Sequence, residues 1–351
     1  MPALTLSQEK PVSPRSAQTA ILHPVISLFC GAGGLDYGFR QAGFQTILAC
    51  DNAPAAIRTY NFNARRRIAT LLDLATAKGR DLIELIENSA PSISPIGVIG
   101  GPPCQGFSQG NVYADPNDPR NKLPFKYAEI LAELNERYSL KFFIFENVKG
   151  LANKKHAHRL ARLKSCFKSA GFNVYEKQLN AKSFGVAQSR PRLFLVGLNS
   201  KLYSHVDFPF PEGASPRLTV KDAIGGLPDP VFFARTLKLS DRSFHPNHWT
   251  MMPKSAKFGV NFKNSGRSFR VLSWEEPSPT VAYGNREIHI HPNGTRRLSI
   301  LEAMLLQGFP QSYRLMGTLS EQVTQVSNAV PPPIARALAG AIKKTIQKGS
   351  L

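Results

Sequence analysis

The sequence predicts an α/β fold with a doubly wound, mostly parallel sheet, together with a smaller irregular or β-rich module near the C-terminus. Two observations support this prediction. From Val25 to about Leu198, short apolar runs alternate with amphipathic stretches, as strands alternate with crossover helices. From Asn199 to about Asn285, prolines, aromatic residues and basic residues dominate, and no helical period lasts beyond a turn or two. A chain of 351 residues is long enough for one large domain and a smaller one.

Each apolar run in the first part has a length that fits a buried strand. The predicted strands are Val25–Cys30, Thr46–Cys50, Ile96–Ile99, Phe142–Phe145, Asn173–Leu179 and Leu193–Leu198. The amphipathic stretches predict helices, and two of them lie in the C-terminal segment. The predicted helices are Leu35–Gln41, Gly79–Glu87, Phe125–Arg137, Arg159–Ala170, Ser299–Leu306 and Ile334–Gln347. The last helix begins just after three consecutive prolines, which are typical of a helix N-terminus.

Composition divides the chain into four parts: residues 1–24, 25–198, 199–285 and 286–351. The first part is rich in Pro, Ser, Gln and Thr without an apolar core, which predicts a disordered tail and not a signal peptide. The last part is expected to return to the main domain. No apolar run approaches the ~18 residues of a membrane helix. The four cysteines are widely spaced and form no CxxC pair, so we expect a reducing, cytoplasmic setting without structural zinc or disulfides.

The chain is strongly basic, with 44 Lys and Arg against 24 Asp and Glu and a net charge of +20. Such a one-sided balance predicts a polyanionic partner, and nucleic acid is the first candidate. Between Val231 and Trp274, eight basic residues stand against one acid, Asp241. We therefore expect part of the 199–285 module to face phosphates.

The segment Gly100–Ser108, with the sequence GGPPCQGFS, follows the strand Ile96–Ile99. Glycine lets a backbone turn tightly and lets a ligand approach, and proline stiffens the segment. Cys104 is thus presented at the carboxyl end of a strand, as a nucleophile would be. The alternative is a small buried cysteine in an ordinary loop.

The segment Phe29–Leu35, with the sequence FCGAGGL, joins the first strand to the first helix. Its three glycines let the main chain approach a ligand beneath the helix N-terminus. Asp51 stands twenty residues after Gly31 at the end of the second strand, where an acid can bind ribose hydroxyls. The glycine spacing is not the one expected for a pyrophosphate, which favours S-adenosylmethionine as the cofactor. The alternative is a turn whose glycines serve packing alone.

Glu146 follows the four apolar residues Phe142–Phe145. Burial is expected to raise its pKa so that it holds a proton near neutral pH. The alternative is a glutamate that caps the next helix. Arg190 and Arg192 stand on alternate residues of a later strand and are expected to point together at the catalytic loop or an anion.

These motifs resemble those of the cytosine-C5 DNA methyltransferase family, of the restriction-modification type, from Ser27 to about Ala341. They occur in the order of the family. The matching elements are Phe29–Leu35, Pro102-Pro103-Cys104-Gln105, Glu146-Asn147-Val148, Gln188-x-Arg190-x-Arg192, Arg296-Arg297-Leu298-Ser299 with Glu302, Gln307-Gly308-Phe309-Pro310 and Asn328-Ala329-Val330-Pro331. The resemblance implies a Rossmann-like, S-adenosylmethionine-dependent methyltransferase fold, with residues 25–198 as the catalytic domain and 199–285 as a target-recognition domain.

The resemblance also implies roles for individual residues. Cys104 would attack C6 of a cytosine flipped out of duplex DNA, and a protonated Glu146 would assist at N3. Arg192 would lie near the base carbonyl, with Arg190 in the same site. The residues expected to line the S-adenosylmethionine site are Phe29, Gly31, Gly33, Gly34, Leu35, Asp51, Asp73 and Asn328. The residues expected to contact the target base are Pro103 and Gln105, and those expected to contact DNA are Thr280 and Arg297.

The resemblance further implies that Gln109–Leu123 is a mobile loop that closes over DNA. Two departures from the family stand out: Ser27 occupies a position where an acid is common, and Ser327 one where glycine is usual. The expected partner is double-stranded DNA, with a cognate restriction endonuclease acting separately and the enzyme itself a nucleoid-associated monomer. No metal is expected at His245-x-x-His248 or His289-x-His291. Two alternatives remain, a tRNA cytosine-5 methyltransferase and a DNA-binding relative without catalysis.

Overall fold

The computed structural model of the chain describes residues 23–103, 118–213, 216–254, 258–259, 270–280 and 289–348. Strands and helices alternate through the first two hundred residues. The strands are β1 (Pro24–Leu28), β2 (Gln45–Asp51), β3 (Ala69–Leu71), β4 (Gly97–Gly100), β5 (Phe142–Val148), β6 (Phe172–Asn180), β7 (Gln188–Ser189) and β8 (Pro191–Asn199). The helices among them are α1 (Gly34–Gln41), α2 (Pro54–Ala64), α3 (Gly79–Ser89), α4 (Leu123–Tyr138) and α5 (Ala157–Ser169).

Seven of these strands form one sheet in the order β3-β2-β1-β4-β5-β8-β6. β8 runs antiparallel to both of its neighbours, and the other neighbouring strands pair in parallel. The sheet is therefore mostly parallel, and this prediction is confirmed. β1 ends at Leu28, earlier than expected, because Phe29 adopts a left-handed φ of 53° that begins the glycine turn.

The sheet is covered on both faces, as a doubly wound fold requires. One face packs residues such as Ile26 and Phe143 against α3, α4 and α5. The other packs residues such as Val25 and Ile144 against α1 and the C-terminal helix Pro332–Lys348.

The remaining elements are short until the C-terminal segment. They are α6 (Val220–Ile224), β9 (Val231–Phe232), β10 (Trp249–Thr250), β11 (Arg270–Val271), β12 (Ser278–Pro279), β13 (His289–Ile290), α7 (Ile300–Leu306), α8 (Leu319–Asn328) and α9 (Pro332–Lys348). β9 pairs with β10, β11 pairs with β13, and β12 pairs with β7. The described part of the 199–285 module is thus irregular with small β elements, in agreement with the predicted fold class.

Close packing of α9 on α1 leaves no room for a side chain at Gly38. A Cβ there would lie 2.5 Å from the Cβ of Ala335 and 2.5 Å from the carbonyl oxygen of Pro332. Gly38→Ala is therefore expected to lower the free energy of unfolding by about 1–3 kcal/mol, as overpacking does, measured by urea denaturation. Gly340→Ala is the matched control, because that position in α9 has nothing within 4 Å of an added Cβ. We expect the control to leave stability unchanged or to raise it by up to about 1 kcal/mol; equal losses in both variants would contradict the packing argument.

Candidate active site

The residues singled out in the sequence gather at the carboxyl ends of neighbouring strands. Gly31 follows β1, Asp51 ends β2, Pro102 follows β4 and Glu146 lies near the end of β5. In the sheet order these four strands are adjacent. Ligands of open α/β sheets bind outside this edge, so the arrangement defines one candidate site.

The glycine turn depends on left-handed backbone conformations. Gly31 has φ of 53° and Gly33, the N-cap of α1, has φ of 80°. A Cβ on Gly31 would meet nothing within 4 Å, so open space adjoins the turn at that point. At Gly34 a Cβ would collide with the carbonyl oxygen of Val330. Gly34 is therefore needed for packing whatever the ligand, and the same packing brings the segment after Asn328 to the turn.

Asp51 is tied to this turn by hydrogen bonds. Its Oδ2 accepts the backbone N–H of Gly31 at 2.9 Å, and its Oδ1 accepts that of Ala53 at 2.9 Å. Burial raises the pKa of Asp51, and the hydrogen bonds from Gly31, Ala53 and Asn52 offset part of the rise. The carboxylate and the turn thus form one structural unit.

The other predicted cofactor residues lie around this unit with differing exposure. Leu35 is buried in α1, whereas Phe29 is only partly buried. Asp73 is exposed after β3 and accepts the backbone N–H of Ala75 at 3.0 Å. Asn328 is exposed at the end of α8.

Glu146 is buried, with only 7 % of its surface exposed, and it faces Arg192. The Nε of Arg192 lies 3.0 Å from Oε1 of Glu146. Burial raises the pKa of Glu146, and the guanidinium groups of Arg192 and Arg190 offset part of this rise. Burial also lowers the pKa of Arg192. The alternative in which Glu146 caps a helix is wrong, because the following 3₁₀ turn has Val148 as its N-cap.

Arg190 takes a different partner from Arg192. Its Nη2 donates to the carbonyl oxygen of Ser327 at 2.6 Å, and its backbone N–H donates to Oδ1 of Asn180 at 2.9 Å. Ser327 directly precedes Asn328, so Arg190 connects the neighbourhood of Glu146 with the end of α8. Both arginines thus act on the charge of Glu146, but Arg192 pairs with Glu146 itself and Arg190 binds the carbonyl oxygen of Ser327.

Asn147 and Gly101, to which the sequence assigned no role of their own, fix the segment before Cys104. The side-chain amide of Asn147 donates to the carbonyl oxygen of Pro102 at 3.2 Å, and its Oδ1 accepts the backbone N–H of Val148 at 2.9 Å. A Cβ on Gly101 would lie 2.8 Å from Oε2 of Glu146, so this glycine makes room for the carboxylate. The available signal was the position of Asn147 directly after Glu146.

Pro103 is exposed at the end of this anchored segment. Cys104 and Gln105 follow it directly and lie outside the described residues, as does most of the predicted loop Gln109–Leu123. The described end of that loop holds a pair between Arg120 and Asp118, with Nη2 and Oδ2 2.6 Å apart.

The predicted DNA-contacting residues lie on segments that join the 199–285 module to the sheet. The Thr280 hydroxyl donates to the carbonyl oxygen of Ser189 at 2.8 Å, next to Arg190. Arg297 is half-buried, and its carbonyl oxygen accepts from Nη1 of Arg296 at 3.2 Å. Arg296 itself is buried and forms two hydrogen bonds with Glu302, at 3.0 and 2.9 Å.

The middle of the 199–285 module is held by buried polar groups. The side-chain amide of Asn247 donates to the carbonyl oxygen of Leu315 at 2.8 Å and to Oε1 of Gln322 at 2.9 Å. His248 approaches Ser299 Oγ at 3.0 Å and the Pro228 carbonyl oxygen at 2.7 Å. Among the described residues, no group of three His, Cys, Asp or Glu side chains could hold a metal ion. Within the same ranges no helix is long and apolar enough to cross a membrane.

Ser27 lies beside Asp36, a buried acid from α1. Ser27 Oγ donates to Oδ2 of Asp36 at 2.9 Å. The hydroxyls of Thr46 and Tyr60 donate to Oδ1 of Asp36 at 2.9 and 2.8 Å. Asp36 therefore ties α1 to β1, β2 and α2 directly below the glycine turn.

Known proteins resemble this chain over most of its length. A family model described as C-5 cytosine-specific DNA methylase matches residues 24–344. The Type II methyltransferase M.FnuDI of Fusobacterium nucleatum is 33 % identical over 346 residues, covering 92 % of this chain and 94 % of that protein. The Type II methyltransferase M.MthTI of Methanothermobacter thermautotrophicus is also 33 % identical over 346 residues, covering 92 % and 98 %.

Solved structures share the fold. A structure described as a DNA modification methyltransferase encoded within a prophage (E. coli) has a TM-score of 0.73 and 25 % identity, covering 93 % of this chain and 99 % of that chain. The Dnmt2 methyltransferase of S. pombe has a TM-score of 0.62 and 18 % identity, covering 92 % and 98 %. The sheet, its helices and the small β elements are thus those of the methyltransferase fold expected from the sequence.

Proposed function

The chain belongs to the C-5 cytosine-specific DNA methylase family, and from this premise we propose that it transfers a methyl group from S-adenosylmethionine to C5 of a cytosine flipped out of a specific duplex DNA sequence. The enzyme class follows from the family. The restriction-modification role is supported by the Type II methyltransferases that are 33 % identical to it. The observation that carries the chemical proposal is the buried Glu146, held between Arg192 and the segment that leads to Cys104.

The residues at the ends of β1 and β2 fit S-adenosylmethionine. Open space beside Gly31 admits a ligand close to the main chain, and Asp51 is positioned where an acid binds ribose hydroxyls. Neither requires a pyrophosphate, which agrees with a cofactor that has adenosine but no diphosphate. When bound, this cofactor supplies an electrophilic methyl group.

Cytosine C5 is a poor nucleophile until a thiolate adds to C6, which makes the ring electron-rich at C5. We assign this addition to Cys104; after the methyl group is transferred, loss of the C5 proton to a base breaks the C6–S bond and frees the thiolate. A proton or hydrogen bond at N3 makes the ring accept the thiolate, and the burial that raises the pKa of Glu146 suits it to that role. Because C6 is inaccessible in a stacked duplex, the base has to leave the helix first.

Selection of cytosine is assigned to the neighbouring groups. We assign the contact with the base carbonyl to Arg192, whose pairing with Glu146 supports a position beside the base. The carbonyl oxygen of Pro102 is engaged by Asn147, which leaves that of Pro103 for the cytosine amino group. Arg190 acts as a positioning residue through its bond to Ser327 next to Asn328.

Incubation with methyl-labelled S-adenosylmethionine and either plasmid DNA or total tRNA tests the proposal. We expect label on plasmid DNA and none on tRNA. Label on tRNA alone would establish the tRNA alternative, and binding of DNA without label would establish the catalytically idle one. Bisulfite sequencing of the labelled plasmid would then give the target site.

A further inference from the structure

A second basic surface lies beside the candidate active site, outside the 199–285 module. Between Asn147 and Tyr175 the chain has seven Lys and Arg and no Asp or Glu. The stretch from Val231 to Trp274 has eight basic residues and one acid. The net positive charge is therefore the same in both, although the first stretch is shorter.

This stretch leaves the sheet at the edge that carries Glu146. β5 ends at Val148, two 3₁₀ turns follow at Lys149–Ala152 and Lys154–His156, and α5 begins at Ala157. The exposed basic side chains between Lys149 and Arg162 form what we call the post-β5 basic surface. They are Lys149, Lys154, Lys155, His158 and Arg162.

The cations of this surface differ from those on neighbouring elements. Arg137 pairs with Glu87 at 2.7 Å, and Lys164, further along α5, pairs with Glu176 at 3.0 Å. By contrast, no carboxylate in the described ranges lies within ion-pair distance of Lys149, Lys154, Lys155 or Arg162. Within the described ranges no carboxylate neutralises these four cations, and Arg162 stacks on the ring of Phe125 at 5.2 Å.

The positive charge concentrated here is unfavourable for the local structure, because it lies at the N-terminus of α5. The first turn of α5 has no acidic residue, and His156 caps it without a side-chain hydrogen bond. Cations at the start of a helix repel the positive end of its dipole. Burial lowers the pKa of His156, and Lys155, Arg159 and His158 lower it further. A polyanion bound here would relieve the repulsion.

We propose that the post-β5 basic surface binds the phosphate backbone of the substrate DNA in the stretch flanking the target base. The inference rests on the proposed function, because it assumes that the substrate is duplex DNA. The surface adjoins the edge at which the flipped base has to enter, so a duplex held at that edge passes close to these side chains. Contacts of this kind give affinity and orientation without reading sequence.

The test compares Lys154→Ala/Lys155→Ala with Arg66→Ala/Arg67→Ala. The control pair is also exposed and removes the same charge, but it lies between α2 and β3, at the amino end of β3 and opposite the site. Affinity for a fluorescein-labelled duplex carrying the target site with long flanks is measured over a range of salt concentrations. Thermal melting of both variants establishes that they are folded.

We expect the Lys154/Lys155 variant to reduce the slope of log affinity against log salt by about 1.8, from about 0.9 for each phosphate contact. Its KM for plasmid DNA should rise while kcat stays unchanged, and on a duplex cut back to the target site it should match the wild type. The Arg66/Arg67 variant should keep the wild-type slope.

Equal changes in both variants, or no change in the slope for Lys154/Lys155, would overturn the inference. A fall in kcat at unchanged DNA affinity would also overturn it. The binding comparison needs no methyl transfer. Duplex binding without methyl labelling would therefore contradict the proposed function. The salt dependence of DNA affinity would still test whether this surface contacts DNA.

Discussion

Glu146→Gln is expected to slow methyl transfer about 10³-fold while DNA affinity stays nearly unchanged, as loss of a general acid does. The amide keeps the shape of the side chain between Gly101 and Arg192, so the loop before Cys104 remains in place. It has no carboxyl proton to supply to N3 of the base. It also leaves Arg192 facing an amide in place of the carboxyl group.

The pH dependence supplies a second readout for the same variant. Burial raises the pKa of Glu146 in the folded protein above its unfolded value. Its contribution to stability is therefore fully present below the unfolded pKa and is lost as pH rises through the folded pKa. The rate of methyl transfer should fall as pH rises through this same pKa, because Glu146 then loses the proton that it supplies to N3. In single-turnover measurements, Glu146→Gln should lack this alkaline limb.

The matched control is Glu176→Gln, the same substitution at an exposed position of β6. We expect it to retain both the wild-type rate and the alkaline limb. A Glu146→Gln enzyme with near wild-type turnover would remove Glu146 from the proposed chemistry.

Cys104→Ser is expected to reduce methyl transfer to background while cofactor and DNA binding stay measurable. The thiolate is the attacking species, and a serine hydroxyl is a far weaker nucleophile without a dedicated base. The preceding segment is held by Asn147 at Pro102 and by the packing of Gly101 on Glu146, independently of the side chain at position 104. The substitution should therefore change the chemistry and little else.

A duplex with 5-fluorocytosine at the target position checks this directly. Fluorine cannot leave as a proton does, so the wild-type enzyme should remain covalently attached, and Cys104→Ser should not. Cys166→Ser is the control, a half-buried thiol on α5 away from the site, and it should trap the adduct normally. Turnover by Cys104→Ser would refute the nucleophile assignment.

The sequence allowed the main sheet to be predicted because its central strands are runs of apolar residues buried on both sides. The helix α8 was not predicted, because half of its buried residues are polar. Gln322 is buried by hydrogen bonds to Asn247 and Trp249, and Gln325 by a bond to the Met316 carbonyl oxygen. Such burial depends on distant partners, and it leaves Leu319, Val323 and Val326 as the apolar part of that face. α2 and the three-residue β3 were missed for a similar reason, since their buried positions include small residues such as Ala55 and Ala69.

The same limit applied to the candidate site. Burial of Glu146 could be predicted from the four apolar residues before it. The partners that orient the site could not, since Arg190 binds a carbonyl 137 positions away and Asn147 binds one 45 positions away. Local patterns indicate which groups are buried, and the chain topology decides which of them meet.

The bond between Ser27 and Asp36 restricts the order in which these two positions can mutate. Asp36 already fills the buried space below the glycine turn, and burial raises its pKa. An acid introduced at position 27 alone would place two carboxylates in one desolvated site, where like charges cannot both ionise. Ser27→Asp should become tolerable only after Asp36 has lost its charge. The two positions are therefore coupled, and an acid can be introduced at position 27 only together with a change at position 36.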